Sequence, residues 1–242
     1  FPLERQGVLV VGPNPLFLRY IDQVLPSLGE TGVGLFTVDG LVRTLPDSYV
    51  VNRGTELDAV ARVKGDERMV GVMSRAVKDR QRRLGKDARI PFGAFTLTLH
   101  VDESAEIVHA VKRRPGTHNG RRRQVEQLAL KKLLSAHERA MAAIRPSTDN
   151  VVLPQDDDVR QAALDRENEA RVRLSRVPEF VAAMDRMWPI ISPEELLHDL
   201  LGAKPLIKLA GRTALTDDEV ELLARHRSEN FHTVPWTPAD LA

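Results

Sequence analysis

An unbroken apolar, β-branched run at residues 7–12, GVLVVG, ends in Gly-Pro-Asn and predicts a parallel strand buried on both faces. From Pro15 the period changes: Leu16, Phe17, Tyr20, Ile21, Val24, Leu25 and Leu28 recur at spacings of three and four, a helical stripe that Gly29 and Gly32 bring to a stop. VGLFTV at 33–38 is the next strand, so the order is strand, helix, strand, as in a parallel α/β sheet. Two strands do not make a stable sheet alone. The pattern therefore asks for neighbours.

Beyond about Tyr49 the texture is different. Glu56 to Leu84 reads as helix broken near Gly65, with a basic end in RAVKDRQRRLGK. PFGAFTLTLHVD alternates Phe95, Leu97 and Leu99 with Thr96, Thr98 and His100, which predicts a half-exposed strand. Asp102 is placed to cap a short helix through ESAEIVHAVKRR. After the PGTHNG turn, Arg121 to Ile144 forms a long helix with Leu130, Leu134, His137, Met141 and Ile144 on one face. RPSTDNVVLPQDDD reads as a loop. The last third is helical. Val177, Val181, Met184 and Trp188 form a stripe ended by Pro189. Ser192-Pro193-Glu194-Glu195 and Thr216-Asp217-Asp218-Glu219 are capping boxes ahead of apolar helices. No repeat of fixed length emerges.

Composition narrows the class. With 242 residues, 42% hydrophobic and 29% charged, the chain can bury one large core or two smaller ones. The absence of cysteine removes disulfides, thiolate zinc sites and cysteine nucleophiles together, and fits a reducing cytoplasm. Apolar runs are strand-length, far short of the roughly 20 residues of a membrane helix, so a soluble, cytoplasmic protein is expected. The start at Phe1, and a helix signal at Thr237 and Pro238 that meets the end at Ala242, read as an excised piece of a longer protein.

Charge is segregated behind a net value of +1. Residues 1–59 and 146–242 are acidic overall, whereas 60–145 carry 20 basic against 9 acidic side chains. Such an island suits nucleic acid or an acidic protein surface; solvated helix faces are the plain alternative. Arg80, Arg82, Arg83, Arg121, Arg122 and Arg123 are its densest part. Single-strand binders add stacking aromatics to a basic groove, and 60–145 contain only Phe92 and Phe95, which favours a protein partner.

Catalytic patterns are missing. There is no phosphate loop, no Gly-x-Ser-x-Gly elbow and no His-Glu-x-x-His helix, so no catalytic residue and no metal ligand is assigned. Asp156, Asp157 and Asp158 read as a helix start, where carboxylates offset the dipole, rather than as a cation site. His137 reads as a core residue. His118 and Asn119 read as turn and cap residues, with a functional role left open.

These residues carry a resemblance. GPNPLFLRYIDQVLPSLGE resembles the segment that follows the phosphate-loop helix in the HelD branch of UvrD-like, superfamily 1 helicase-type ATPases. MWPIISPEELLHDLLG and WTPADLA resemble that family's approach to its acidic magnesium motif, and RAVKDRQRR with HNGRRR its helical insertion. The resemblance implies an α/β fragment of a RecA-like motor domain (1–50), a mainly α-helical insertion with a minor β element (51–230), and a return into the motor domain (231–242). It implies a parent that binds bacterial RNA polymerase, hydrolyses ATP with magnesium and releases or recycles stalled polymerase, the insertion wedging the clamp. This chain, without the nucleotide-binding motifs, is expected to hold no cofactor and to be inactive alone. The alternative is a DNA-binding segment of a DNA helicase, in which Asn14 and Tyr20 touch single-stranded DNA; strand–helix packing explains Tyr20 equally well. An excised α/β piece is further expected to self-associate through residues 7–38 or to be loosely ordered.

Overall fold

The computed structural model of the chain describes residues 8–28, 33–37, 56–144, 157–229 and 231–241. The Gly29 and Gly32 stop signals, the loop over 145–156 and the change of texture near Tyr49 lie outside these residues.

Strand β1 (Val8–Gly12), helix α1 (Pro15–Val24) and strand β2 (Val33–Thr37) form the expected unit, with β1 and β2 parallel in the register Val8↔Val33 to Gly12↔Thr37. Asn14 starts α1: its Oδ1 accepts the Phe17 amide at 2.8 Å, and Pro15 occupies the first turn. At Gly12 the Leu18 and Phe17 side chains come close: a Cβ there would meet Leu18 Cδ2 at 2.6 Å and Phe17 Cδ1 at 2.8 Å, so a larger residue would have to displace them. Burial differs from the sequence reading. Leu18 is the residue of α1 that is buried, while Phe17 and Tyr20 of the expected stripe are exposed. Val8, Leu9 and Val11 are also exposed, and among the described residues β1 has one neighbouring strand.

The chain divides into two compact units, one from residues 1–76 with 193–242, the other from 77–192. The stretch 51–230 expected as one insertion is thus shared between them. In the first unit, α2 (Asp58–Lys64) ends at Gly65, and α3 (Arg68–Lys78) begins after Asp66, whose Oδ1 accepts the Arg68 amide at 2.8 Å. The break near Gly65 is where the sequence puts it. Helices α8 (Pro193–Leu201), α9 (Lys204–Gly211), α10 (Asp217–Leu223) and the short α11 (Pro238–Leu241) complete the unit. Thr216 and Glu219 close the capping box of α10 at 2.8 and 3.2 Å. Arg68 ties α3 to this helix by donating to Glu219 Oε1 at 2.7 Å and to the Ala214 carbonyl at 2.7 Å.

The second unit is built on a hairpin. Strand β4 (Phe95–Leu99) is the alternating segment the sequence shows, and it pairs antiparallel with β3 (Ala88–Phe92). The two-residue turn needs Gly93, at φ 61°, in the first central position. ARIPF escapes the sequence reading because Pro91 argues against a strand; in a two-stranded sheet both strands are edges, where proline is tolerated. Helix α4 (Val101–Lys112) starts one residue before Asp102, and its first amide is held by Asp87, whose Oδ1 accepts the Val101 amide at 2.9 Å. Helices α5 (His118–Ile144), α6 (Asp157–Ser175) and α7 (Pro178–Met187) follow. Ile90, Leu99, Val111, Val125, Leu133, Phe180, Met184 and Trp188 meet in one core. Leu130 and Leu134 of the expected α5 face join it, whereas Met141 and Ile144 are exposed.

Candidate functional site

The densest basic stretches, around 80–83 and 118–123, are brought together at the C-terminal end of α7. A helix end leaves carbonyl groups without intrahelical partners. Here Pro189 stops the helix, and donors from the two basic stretches bond carbonyls at its end and in the residues that follow. The Arg82 amide donates to the Met187 carbonyl at 3.0 Å. The Arg122 guanidinium donates to the Trp188 carbonyl, the His118 ring to the Pro189 carbonyl at 2.7 Å, and the Asn119 amide to the Ile191 carbonyl at 2.9 Å. The Ile191 amide returns a bond to Asn119 Oδ1 at 3.1 Å. A cation at a helix C-terminus is also favoured by the dipole, which suits Arg122.

Trp188 centres this arrangement. Fully buried, it donates from its indole nitrogen to the His118 carbonyl at 2.8 Å, and the His118 ring stacks on it at 5.3 Å with 9° between planes. On the other side of His118, Nδ1 lies 3.0 Å from Gln81 Nε2. Because a carbonyl only accepts and an amide nitrogen only donates, Nε2 carries the proton and Nδ1 accepts, so the neutral imidazole satisfies both partners. Burial pushes the His118 pKa below its ordinary value; the bond to Pro189 opposes this, and the charges of Arg121 and Arg122 reinforce it.

His118 therefore links stability to pH with a definite sign. A histidine whose folded pKa is depressed contributes its full stabilisation above the unfolded value, about 6.5, and loses it as the pH falls through the lower folded value. In urea titrations between pH 7.5 and 5, the stability difference between the native chain and His118→Gln should shrink as the pH falls. A difference that stays constant would show that His118 does not titrate in this window.

The arginines have separate fates. Arg122 is buried and spends its guanidinium on Glu126 at 2.7 Å, Asp185 at 2.9 Å and the Trp188 carbonyl. It is a clamp inside the fold, not a surface cation. Arg121 is half-buried, lies 5.4 Å over the Trp188 ring and donates to the carbonyls of Lys112 and Arg114 at 3.2 and 3.3 Å. Arg80 is also half-buried, while Arg82, Arg83 and Arg123 are exposed and make no ion pair with a described residue. The Arg121 bonds draw in the α4–α5 turn, adding the exposed Arg113 and Arg114, which the contiguous KRRPGTHNGRRR could have signalled. His118 and Asn119 are neither turn nor cap residues: they stand in the first turn of α5, and Thr117 Oγ1 accepts the Gly120 amide at 3.2 Å.

Asn14 and Tyr20 belong to the other unit. The Asn14 side chain is engaged in capping α1, and the Tyr20 ring is exposed. No group of His, Asp and Glu suited to a metal ion occurs among the described residues, and no described helix is long and apolar enough to cross a membrane. The chain matches no model of a known protein family and no curated protein.

Proposed function

We propose that this chain is a segment of a HelD-type, UvrD-like ATPase whose helical part contacts bacterial RNA polymerase in the cytoplasm, through a basic surface carried by Arg82, Arg83 and Arg123. The observation that supports it best is the scaffold around Trp188: the two stretches it joins carry Arg82, Arg83 and Arg123, which are exposed and pair with no described carboxylate. Trp188 itself is fully buried, so it offers no platform on which a base could stack. That favours a carboxylate-bearing protein surface over single-stranded DNA. The parallel β1–α1–β2 unit, with its Asn14 turn at the carboxyl end of β1, is compatible with a motor-domain origin. ATP and magnesium chemistry belongs, on this reading, to the rest of the parent protein, and release or recycling of stalled polymerase is its outcome.

The test is charge reversal. Exposed ion pairs are worth roughly 0.5 kcal/mol each, so Arg82→Glu, Arg83→Glu and Arg123→Glu together should weaken binding to purified polymerase about tenfold. The salt dependence of binding should flatten, while the melting temperature stays within about 2 °C because the three side chains hold nothing in place. Unchanged affinity in the triple variant would return these residues to the role of solvated helix charges.

A further inference from the structure

The turn of the β3–β4 hairpin opens on a second feature, made of different residues. A cavity of about 290 Å³ lies between the hairpin and the α5 and α6 helices. Its aromatic lining consists of Phe92 and Phe95, the two aromatic residues of the basic island, with His137 edge-on to both rings at 5.2 Å. On the α6 side stand Arg166 and Arg173, two helical turns apart and so on one face. Arg173 lies 5.5 Å from the Phe92 ring centre. Both arginines are exposed, and neither pairs with a described carboxylate. Glu169, between them on the helix, is the one acid among the lining residues, so the rim remains net positive.

Size and charge together select the occupant. Sites for small molecules span about 300–1,000 Å³, and this cavity lies just below that range, where a single large side chain fits. Guanidinium pairs recognise carboxylates bidentately, and one apolar anchor in a pocket is how compact interfaces gain most of their energy. A phosphate backbone would have to pass Glu169 and would leave the apolar floor unused. We propose that this pocket receives one aromatic side chain from an acidic segment of a protein partner, with carboxylates flanking that side chain bound by Arg166 and Arg173. The site shares no residue with the surface around Trp188 and stands or falls separately from it.

The probe is a synthetic peptide with one phenylalanine between aspartates, titrated into the ¹⁵N-labelled full chain, following the Gly93 and Ala94 amides. Saturable shifts of these amides are expected, with affinity falling at least tenfold in Arg166→Gln/Arg173→Gln and when the peptide phenylalanine is replaced by alanine. Arg166→Gln alone, at a position without described partners, should weaken binding at least threefold and guards against a folding defect in the double variant. The proposal is overturned by an absence of saturable shifts up to millimolar peptide, or by equal binding to the double variant. Stronger binding of oligothymidylate at the same amides would also overturn it and make the pocket a nucleic-acid site.

Discussion

Trp188→Ala is expected to lower the stability of the 77–192 unit by about 3–5 kcal/mol, the range for emptying a buried aromatic position. Trp188 is fully buried among Phe180, Ala183, Met184 and Met187 in the same core, so little of the space can be refilled by solvent-facing chain. The substitution also strips the His118 carbonyl of its 2.8 Å donor and removes the ring on which His118 stacks. Trp188→Phe separates these contributions. It keeps most of the volume and loses the indole N–H, so the cost should fall to roughly 1–2 kcal/mol. Denaturant unfolding followed by circular dichroism measures both. A loss below 1 kcal/mol in the alanine variant would mean that the α7 end is not held by this residue.

Asp240→Ala should cost the other unit a similar amount, about 3–5 kcal/mol, the range for stranding the partner of a buried charge. The Asp240 carboxylate has no exposed surface. Its Oδ1 lies 2.8 Å from Lys64 Nζ, and its Oδ2 accepts the Thr237 amide at 3.0 Å and Arg225 Nη1 at 3.1 Å. Burial alone would raise its pKa. The Lys64 bond and charge, the Thr237 amide and the Arg225 charge outweigh it and hold the carboxyl below its ordinary value. A depressed carboxylate contributes its stabilisation above about pH 4 and loses it as the pH falls through the folded value. Asp240→Asn should therefore resemble the native chain more closely in acid than at neutrality. Without Asp240, Lys64 keeps only Glu56 among the described residues, and its side chain is almost as enclosed. Trp236 reports on this region, because Arg225 lies 4.9 Å over its ring. Its fluorescence can be read in a Trp188→Phe background, where it is the remaining tryptophan. An unfolding midpoint unmoved by Asp240→Ala would show that the cluster adds nothing to stability.

What could be read from the sequence is what short-range chemistry writes there. Thr216 and Glu219 satisfy each other's amides within one turn, Pro193 opens α8, and Thr237 caps α11 through the Asp240 amide at 3.2 Å, all as their spacing indicates. Alternation at Phe95–Leu99 likewise survives as a real strand. The site around Trp188 is another matter. Asn119 and Ile191 are 72 positions apart, and no periodicity announces a bond between them. A separation of 66 positions from Trp188 likewise hides the fate of Arg122, which looks like its neighbours in Arg121-Arg122-Arg123 but points its guanidinium into the fold. Run composition cannot distinguish a solvated arginine from a buried clamp, because both are satisfied by the same residue type. In α1, the stripe from Leu16 to Val24 promises burial, yet Leu16, Phe17 and Tyr20 are exposed, Ile21 and Val24 are half-buried, and the fully buried residue is Leu18, which lies outside the stripe.

The division into two units also fixes an order of events in synthesis. Residues 77–192 are continuous and can fold as soon as they have emerged, but the first unit is joined from both sides of them. Arg68 waits for Glu219, Arg75 for the Ala210 carbonyl and Lys64 for Asp240. At roughly 5–20 residues per second on the ribosome, helices α2 and α3 stay without these partners for on the order of ten seconds. During that interval the apolar side chains they will later bury, Val63 and Met69 among them, are open to solvent and to chaperones. Early folding of the middle unit shortens the effective loop that the outer unit must close, and the closure entropy falls with it.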